Sequence, residues 1–397
     1  MTQTMTGLPL DGITVVSIEQ AVAAPFATRQ LADLGARVIK IERPGDGDFA
    51  RGYDERVNGL ASYFVWLNRS KESLSLDLKA DEASAIIGQL IVGSDVFVQN
   101  LAPGAAARLG LSAERLREQH RRLIVCDVSG YGSSGPYVDK KAYDLLVQCE
   151  VGLLSVTGTP DDAVKAGISV ADIAAGMYAY SSILTALFHR ERTGEGASIE
   201  VSLFDSLTEW MSHPLYYTMY SGQPPQRTGA SHASIVPYGS FATSDGKVQL
   251  GIQNQREWLR FCASVLGRPD VATDSRFVTN GLRVEHRAEL IAMIEAVFAG
   301  LTTEQVIARL DDAKIANARQ SKIVDLIAHP QLSERDRWRE VDSPVGRIKA
   351  LRPPAIIQGM PERMDPIPGV GQHTNQILTE LGFGTEAIET MRARGTV

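Results

Sequence analysis

Short apolar runs alternate with amphipathic stretches along the first 130 residues of the chain. The runs have the length of β-strands, and the stretches between them repeat apolar residues at helical spacing. The predicted elements are strands at 13–18, 38–41, 74–78, 95–100 and 123–128 and helices at 25–34, 83–90 and 113–119. Strands that alternate with helices are typical of βαβ units, so the pattern predicts an α/β fold with a mainly parallel, doubly wound, Rossmann-like sheet.

The second half of the chain changes in composition twice. Residues 221–239 are rich in Gly, Pro, Ser and Gln, which is typical of a linker or loop. A strand at 248–252 and helices at 257–266, 288–298 and 303–310 follow, and a Pro-rich stretch after residue 325 ends in a helix at 374–381. We therefore predict a large domain formed by 1–220 and completed by 326–397, and a small α/β domain at 221–325.

The composition is that of a globular enzyme, with 44% hydrophobic and 22% charged residues and a net charge of -7. We expect a cytoplasmic protein without a membrane partner, because the start resembles no secretion signal and no uninterrupted apolar run of membrane-spanning length occurs. The acidic balance argues against a nucleic-acid partner. Three cysteines without metal-type spacing are interpreted as free thiols, so no metal is expected.

The turn after the first predicted strand excludes one common class of Rossmann-like enzyme. Residues 19–26 lack the Gly-x-Gly-x-x-Gly that lets a backbone approach a pyrophosphate closely. Gly45 and Gly47 follow the second strand instead. The sequence therefore disfavours a nicotinamide-dependent oxidoreductase.

Asp172 is the most conspicuous candidate for chemistry. It is a single carboxylate at the start of a small-residue, apolar segment with helical spacing, so it is predicted at the N-terminus of a buried helix. There it could act as a nucleophile, or it could simply cap the free N–H groups of the helix. The pattern alone leaves both interpretations open.

Several further segments, taken with their order and spacing, carry a family resemblance. They are 10–16 (LDGITVV), 20–25 (QAVAAP), 31–44 (LADLGARVIKIERP), 100–104 (NLAPG), 130–132 (GYG), 172–176 (DIAAG), 192–196 (RTGEG) and 371–374 (GQHT). Together they resemble the class III CoA-transferase family over nearly the whole chain. The resemblance implies a Rossmann-like large domain, a smaller α/β domain, and a homodimer in which two subunits interlock.

The resemblance also implies roles for three residues. Asp172 would attack an acyl-CoA and pass through a covalent aspartyl-CoA thioester, with the helix N-terminus keeping it ionised and supplying N–H groups to the oxyanions. Gln20 would donate its amide to the reacting groups, and Asp144 matches an acidic active-site position. The plainer alternatives are a loop amide bonded to backbone for Gln20 and a helix-start carboxylate for Asp144.

Coenzyme A would be a substrate and covalent intermediate, with no permanently bound cofactor, and the other partner would be a small carboxylic acid. The phosphates of coenzyme A are expected to bind cationic side chains, and its adenine is expected to bind in an apolar slot. The positions that match the family's CoA contacts are Arg43, Lys71, Asn100, Leu101, Arg108 and Lys141. Without the resemblance, each cation would be interpreted as a solvated surface charge.

The acceptor is predicted from a subgroup resemblance. The loop 229–239 lacks the poly-glycine lid of formyl-CoA transferase and contains His232, a candidate substrate contact, so formyl and oxalate specificity is not expected. Residues 22–35, 47–54 and 315–319 resemble enzymes that move CoA from succinyl-CoA to C4–C6 dicarboxylates, with itaconate CoA-transferase the nearest match. The candidate cations for a second carboxylate are Arg51, Arg227, Arg256 and Arg319.

Two other functions compete with CoA transfer. An α-methylacyl-CoA racemase of the same superfamily would use a His before residue 144, but Tyr143 stands there, and a phenol is a poor base at neutral pH. A non-catalytic CoA-binding protein would not need Asp172 or Gln20.

Overall fold

The computed structural model describes residues 7–397, which divide into two units. The first comprises 7–152, Ala166–Ser212 and Asp336–Val397, and the second comprises Leu153–Lys165 and His213–Arg335. The C-terminal segment therefore belongs to the first unit. Residues 153–165, 213–220 and 326–335, which the sequence pattern placed in the large domain, belong to the second unit.

The first unit is built on a six-stranded parallel sheet in the order β3-β2-β1-β4-β5-β6. The strands are β1 (Thr14–Ile18), β2 (Arg37–Glu42), β3 (Lys71–Ser75), β4 (Val96–Gln99), β5 (Ile124–Ser129) and β6 (Ser198–Ser202). The strand order reverses between β1 and β4. The carboxyl ends of these two strands therefore form the topological switch point, where open α/β sheets usually bind ligands. The predicted doubly wound parallel sheet is confirmed.

Helices cover the sheet and supply its apolar core. They are Ala23–Asp33, Ser62–Leu67, Ala83–Val92, Ala105–Arg108, Ala113–Gln119, Asp144–Glu150, Val170–Thr193, Leu203–Trp210, Thr374–Glu380 and Thr385–Ala393, with a 3₁₀ turn at Phe49–Gly52. An antiparallel hairpin, Trp338–Val341 and Ile348–Leu351, lies in the Pro-rich region. This hairpin and the last helix were absent from the sequence-based prediction.

The longest helix, Val170–Thr193, is held in the core by close packing. A Cβ atom at Gly176 would lie 2.6 Å from the carbonyl oxygen of Ala23, so this glycine lets the Ala23–Asp33 helix approach closely. The helix is also long and apolar enough, at a mean hydropathy of 1.3, to match the composition of a membrane span. Its buried side carries mainly alanines and glycine, which is typical of a helix packed against protein.

The second unit has a three-stranded antiparallel sheet, β7 (Tyr238–Ala242), β8 (Lys247–Gly251) and β9 (Ala316–Arg319), in that order. Its helical segments are Leu153–Val156, Gln255–Arg260, Phe261–Val265, Pro269–Thr273, Asn280–Glu285, Arg287–Phe298, Thr303–Asp312, Ile323–Ile327 and Pro330–Ser333, and Ser212–Ser221 leads into the unit. Aromatic residues such as Trp258, Phe261 and Phe298 fill its core.

Candidate active site

Asp172 lies in the first turn of the Val170–Thr193 helix, but it does not cap that helix. The cap is supplied by Asp144, whose Oδ1 accepts the N–H of Ala171 at 2.7 Å and that of Asp172, more weakly, at 3.4 Å. The part-buried carboxylate of Asp172 makes no hydrogen bond to any residue in 7–397. The simpler interpretation of Asp172, as an N-cap, is therefore wrong, and its side chain is available for chemistry.

The surroundings of Asp172 oppose its negative charge. Burial, first, and the charge of Asp144, second, raise the pKa of Asp172 to about 7. We expected the helix N-terminus to keep this carboxylate ionised, but desolvation and the neighbouring carboxylate outweigh that effect. A carboxylate with a pKa near 7 is a stronger base, and hence a better nucleophile when ionised, than an ordinary aspartate.

The N–H groups at the start of the helix are already used. Val170 donates to the carbonyl oxygen of Ile168 at 2.8 Å, and Ile173 donates to that of Ser169 at 2.9 Å. With Ala171 and Asp172 bonded to Asp144, the first turn has no free donor for an oxyanion. The expected role of these N–H groups in oxyanion stabilisation is therefore not supported.

Asp144 is held in place by a buried glutamine. Gln148 Nε2 donates to Asp144 Oδ2 at 2.6 Å, while Gln148 Oε1 accepts the N–H of Ala166 at 2.9 Å. Asp144 also begins its own helix, Asp144–Glu150, so it is a helix-start carboxylate as well as a neighbour of Asp172. The structure brings the two predicted acidic residues together.

Gln20 follows β1 at the switch point, and Asn100 follows the adjacent β4. Asn100 Oδ1 accepts the N–H of Gln20, and Asn100 Nδ2 donates to the Gln20 carbonyl oxygen, both at 2.9 Å. Within residues 7–397 the side-chain amide of Gln20 makes no hydrogen bond, which contradicts the alternative of a loop amide bonded to backbone. The Asn100 side chain holds the Gln20 backbone, a role that the sequence did not reveal.

Tyr53 and Tyr63 are two further candidates for this site. Partial burial raises the pKa of Tyr53 to about 12, with smaller contributions from the negative charges of Asp48 and Asp172, so its hydroxyl stays protonated. Its ring meets that of Tyr63 edge-on at 5.6 Å, and the Tyr63 hydroxyl lies 3.4 Å from Ser169 Oγ. Sequence reasoning missed both tyrosines as site residues. The signal for Tyr53 was its place in the segment 47–54, which follows β2 at the carboxyl edge of the sheet.

Of the six predicted CoA contacts, Asn100 uses its side chain on the Gln20 backbone, and the other five differ in exposure. Arg43, Arg108 and Lys141 are exposed and form no ion pair within residues 7–397, so they are available to phosphates. Leu101 is part-buried against the core of the first unit. These positions stay predictions.

Lys71 differs from the other predicted CoA contacts. It is 2% exposed, and its ammonium group donates to Glu19 Oε1, Asn68 Oδ1 and the Pro25 carbonyl oxygen at 2.7–3.0 Å. With all three donors used inside the protein, the Lys71 side chain has none left for a phosphate. The structure therefore argues against the predicted phosphate contact.

Two candidates for substrate contacts in the second unit, His232 and Arg227, are already bonded within that unit. The His232 ring stacks on Tyr238 at 5.3 Å, and its Nδ1 accepts the N–H of Ser234 at 3.1 Å. Arg227 donates to the carbonyl oxygens of Thr159 and Pro160 at 2.8 and 2.7 Å.

The remaining arginine candidates differ in availability. Arg319 is paired with Glu304. Arg51, in the first unit, is bound to Glu42 and stacked on Phe64. Arg256 is exposed and makes no ion pair within residues 7–397. Of the four, Arg256 thus has the guanidinium most accessible to a ligand.

The family model described as CoA-transferase family III matches residues 10–374. The chain belongs to CoA-transferase family III. It is accordingly an enzyme of this class, and the predicted membership is confirmed.

Relatives of this family III CoA-transferase include enzymes named for succinyl-CoA and dicarboxylates. A succinate–glutarate CoA-transferase of Agrobacterium fabrum is 35% identical and aligns over 94% of this chain and 96% of its own length. The human succinyl-CoA:glutarate CoA-transferase is 33% identical, over 98% of this chain and 90% of its own length. The succinyl-CoA–D-citramalate CoA-transferase of Chloroflexus aurantiacus is 30% identical, over 98% of both chains.

Solved structures agree with this family fold. A CAIB/BAIF family protein from Brucella suis superposes with a TM-score of 0.83 at 32% identity, covering 95% of this chain and 100% of that one. Rv3272 from Mycobacterium tuberculosis superposes with a TM-score of 0.84 at 29% identity, covering 94% and 99%. The family III fold is therefore shared over both units.

Proposed function

We propose that this family III CoA-transferase moves CoA from succinyl-CoA to a C4–C6 dicarboxylic acid, with Asp172 as the covalent nucleophile. The observation that carries the proposal is the unbonded carboxylate of Asp172, whose pKa is near 7, beside a helix start already capped by Asp144. A side chain that only stabilised the helix would be bonded to its N–H groups.

The reaction proceeds by four acyl transfers. An Asp172 oxygen attacks the thioester carbon of the donor, CoA thiolate leaves, and an aspartyl mixed anhydride forms. The thiolate attacks the aspartyl carbonyl, which releases the donor acid and leaves an aspartyl-CoA thioester. The acceptor carboxylate then attacks this thioester, and the released thiolate attacks the acceptor's acyl carbon, which regenerates the Asp172 carboxylate.

Two donors on this chain are suited to the oxyanions that develop in these steps. The Gln20 side-chain amide has no partner within residues 7–397, and the raised pKa of Tyr53, about 12, keeps its hydroxyl protonated. Donors that are already oriented stabilise developing charge without having to reorganise. They take the place of the occupied N–H groups of the helix.

The acceptor class rests on the relatives named for glutarate, citramalate and mesaconate and on the subgroup resemblance that points to itaconate. A cation that binds the distal carboxylate is left unpaired by a monocarboxylate, at a cost of about 1.5–3 kcal/mol. We therefore expect itaconate, glutarate and related acids to react roughly tenfold or more faster than monocarboxylates. Arg256 is the first arginine to replace in testing this preference.

The deciding experiment is a matrix of acyl-CoA donors against free acids, with new thioesters identified by mass. We expect succinyl-CoA to outperform acetyl-CoA, and C4–C6 dicarboxylates to outperform formate, oxalate and acetate. Arg256→Gln should reduce the preference for dicarboxylates while transfer itself persists, and Arg268→Gln, another exposed arginine of the second unit, is the matched control. The acceptor assignment is wrong if formate, oxalate or acetate reacts best.

The covalent route is tested separately. Succinyl-CoA alone should place CoA on the peptide that contains Asp172, in a form removable by hydroxylamine, and Asp172→Ala should abolish both the adduct and transfer. Transfer without an adduct on the wild-type enzyme, or full activity of the variant, would exclude this nucleophile. Absence of α-deuterium exchange in the same reactions would exclude racemisation.

A further inference from the structure

The turn that carries Gln20 is fixed by side chains from outside the turn. The Glu19 carbonyl oxygen accepts from Lys40 Nζ at 3.0 Å, and the Ala21 N–H donates to Asp48 Oδ1 at 3.0 Å. Asn100 binds both polar groups of the peptide backbone at Gln20. Each of the three consecutive residues is therefore held through its backbone.

The turn also has an unfavourable backbone conformation. Ala21 has φ of 61°, in the left-handed region that residues with a Cβ atom seldom adopt. Such a conformation persists where the surrounding structure enforces it. The hydrogen bond from the Ala21 N–H to Asp48 is the contact that acts on this residue directly.

Two of the three side chains that hold the turn, Lys40 and Asp48, are buried charges. Lys40 is 0% exposed and pairs with Asp48 Oδ2 at 2.8 Å and with Glu19 Oε1 at 3.5 Å. Lys71 pairs with the same oxygen of Glu19 at 2.7 Å. Buried ion pairs add little stability compared with apolar residues of the same volume, and in some proteins their role is to specify a geometry.

Further contacts fix the position of Asp48 itself. Its N–H donates to Glu42 Oε2 at 2.9 Å, and its Oδ1 also accepts the N–H of Ala50 at 2.9 Å, capping the Phe49–Gly52 turn. Glu42 is bound by Arg51 and by the Ser73 hydroxyl. The carboxylate of Asp48 therefore has one orientation.

We propose that Asp48 and Lys40 are positioning residues, which act through the backbone of residues 19–21 to aim the Gln20 amide at the reacting groups. This rests on the proposed function, because it requires Gln20 to act in the CoA-transfer steps. Neither residue needs to touch the substrate. Their effect on the reaction passes through Gln20.

The test is a double-mutant cycle between Asp48 and Gln20. We expect Asp48→Ala to lower kcat at least tenfold, with the KM for succinyl-CoA changed less than threefold. In the Gln20→Ala background the same substitution should change kcat less than twofold, because there is no amide left to position. Equal losses in both backgrounds would overturn the proposal.

A control and a second variant separate positioning from loss of folding. Asp33→Asn breaks another buried cluster, in which Asp33 pairs with Arg29 at 2.5 Å and Arg69 at 2.7 Å, so it should lower the melting temperature and leave kcat unchanged. Should Asp48→Ala not fold, Asp48→Asn enters the same cycle, with a smaller but equally Gln20-dependent loss. Equal kcat losses in Asp33→Asn and the Asp48 variant would also contradict the proposal.

The outcome is distinguishable from a failure of the proposed function. If the wild-type enzyme transfers CoA and forms the Asp172 adduct but the cycle is additive, only the positioning role is wrong. If Gln20→Ala is as active as wild type, Gln20 has no part in the chemistry, and the positioning proposal fails with it. If no adduct forms, the covalent mechanism itself is wrong.

Discussion

At the scale of single residues, the two carboxylates at the start of the long helix have different tasks. The carboxylate of Asp144 accepts hydrogen bonds from the helix N-terminus and from Gln148, while the carboxylate of Asp172 makes no hydrogen bond within residues 7–397. The proximity of the two charges makes Asp172 more basic. Asp144 thus stabilises the helix start and also raises the pKa of Asp172.

The raised pKa of Asp172 predicts the pH dependence of activity. The nucleophile must be ionised, so kcat/KM should rise with pH through a pKa of about 7 in the free enzyme. Asp144→Asn removes a neighbouring negative charge, so the profile should shift to lower pH, whereas the exposed Asp139→Asn should leave it unchanged. Steady-state kinetics from pH 5 to 9 would measure this. A flat profile would contradict the assignment.

The same shift predicts a stability gain on removing the charge. Because the pKa of folded Asp172, about 7, exceeds the ordinary aspartate value of 3.8, the folded state binds the extra proton, and stability declines as pH rises from about 4 to 7. Asp172→Asn should therefore equal wild type near pH 4 and exceed it at pH 8, by at most about 4 kcal/mol. Denaturant unfolding at both pH values measures this.

The exposed Asp81→Asn is the matched control for this stability experiment, and it should show no such pH-dependent gain. An Asp172→Asn variant that is no more stable than wild type at pH 8 would mean that the carboxylate is solvated in the native protein.

At the scale of secondary-structure elements, the packing of two helices depends on one glycine. A Cβ at Gly176 would lie 2.6 Å from the Ala23 carbonyl oxygen and 2.9 Å from the Phe26 ring, so Gly176→Ala must separate the helices. Overpacking of this kind costs about 1–3 kcal/mol, which outweighs a gain in helix propensity of about 1 kcal/mol. We expect net destabilisation, measured by thermal unfolding.

Gly88 offers a matched control on the Ala83–Val92 helix. Nothing lies within 4 Å of a Cβ built there, so Gly88→Ala should stabilise the protein by about 0.5–1 kcal/mol. If both substitutions had the same sign, close approach would not be the reason for Gly176.

Most elements of the sheet were predictable because their strands are apolar and buried. The exceptions have physical reasons. Strand β6 is partly polar and buries only its last two residues, and the hairpin at 338–351 buries little beyond Val341 and Ile348, so neither has a clear hydrophobic pattern. β3 begins at Lys71, three residues before the predicted start, because a paired lysine and serines can occupy a buried strand.

The late predicted start of β3 also explains why Lys71 was wrongly chosen as a phosphate contact. A strand predicted at 74–78 leaves Lys71 in a loop, where a lysine is usually solvated, while the actual strand places it in the core. The position of Asp172 was predictable from helical periodicity. The hydrogen bonds that hold Gln20 and Ala21 were not predictable, because they join residues 80 and 27 positions apart in the sequence.

At the scale of the whole molecule, the edge strand β3 is covered by the end of the chain. The Ser73 N–H donates to His373 Nδ1 at 3.1 Å, and the Ser75 N–H donates to Thr374 Oγ1 at 2.9 Å. Gly371 donates its N–H to Ser73 Oγ at 2.8 Å, and Ser73 also bonds Glu42, which supports Asp48. The C-terminal segment thus both protects the sheet edge and contacts the buried network beneath the Gln20 turn.

The interlocked homodimer implied by the family resemblance remains a prediction, and the Ser212–Ser221 helix offers a way to test it. This helix has no buried residue, and Tyr216, Met219 and Tyr220 are 56, 62 and 80% exposed. Clustered apolar side chains of this kind mark protein–protein contacts. We expect the purified protein to be a dimer by light scattering, and Tyr216→Glu with Tyr220→Glu to prevent assembly, since unpaired charges in an interface cost several kcal/mol.

The matched control is Val92→Glu, which places a charge at another exposed apolar residue, 73% accessible, at the end of a helix in the first unit. This variant should remain a dimer, because an isolated exposed valine marks no contact surface. A monomeric wild type at micromolar concentration would contradict the dimer. If the double variant were still a dimer, the dimer interface would not include the Ser212–Ser221 helix. Two charges buried in that interface would prevent assembly.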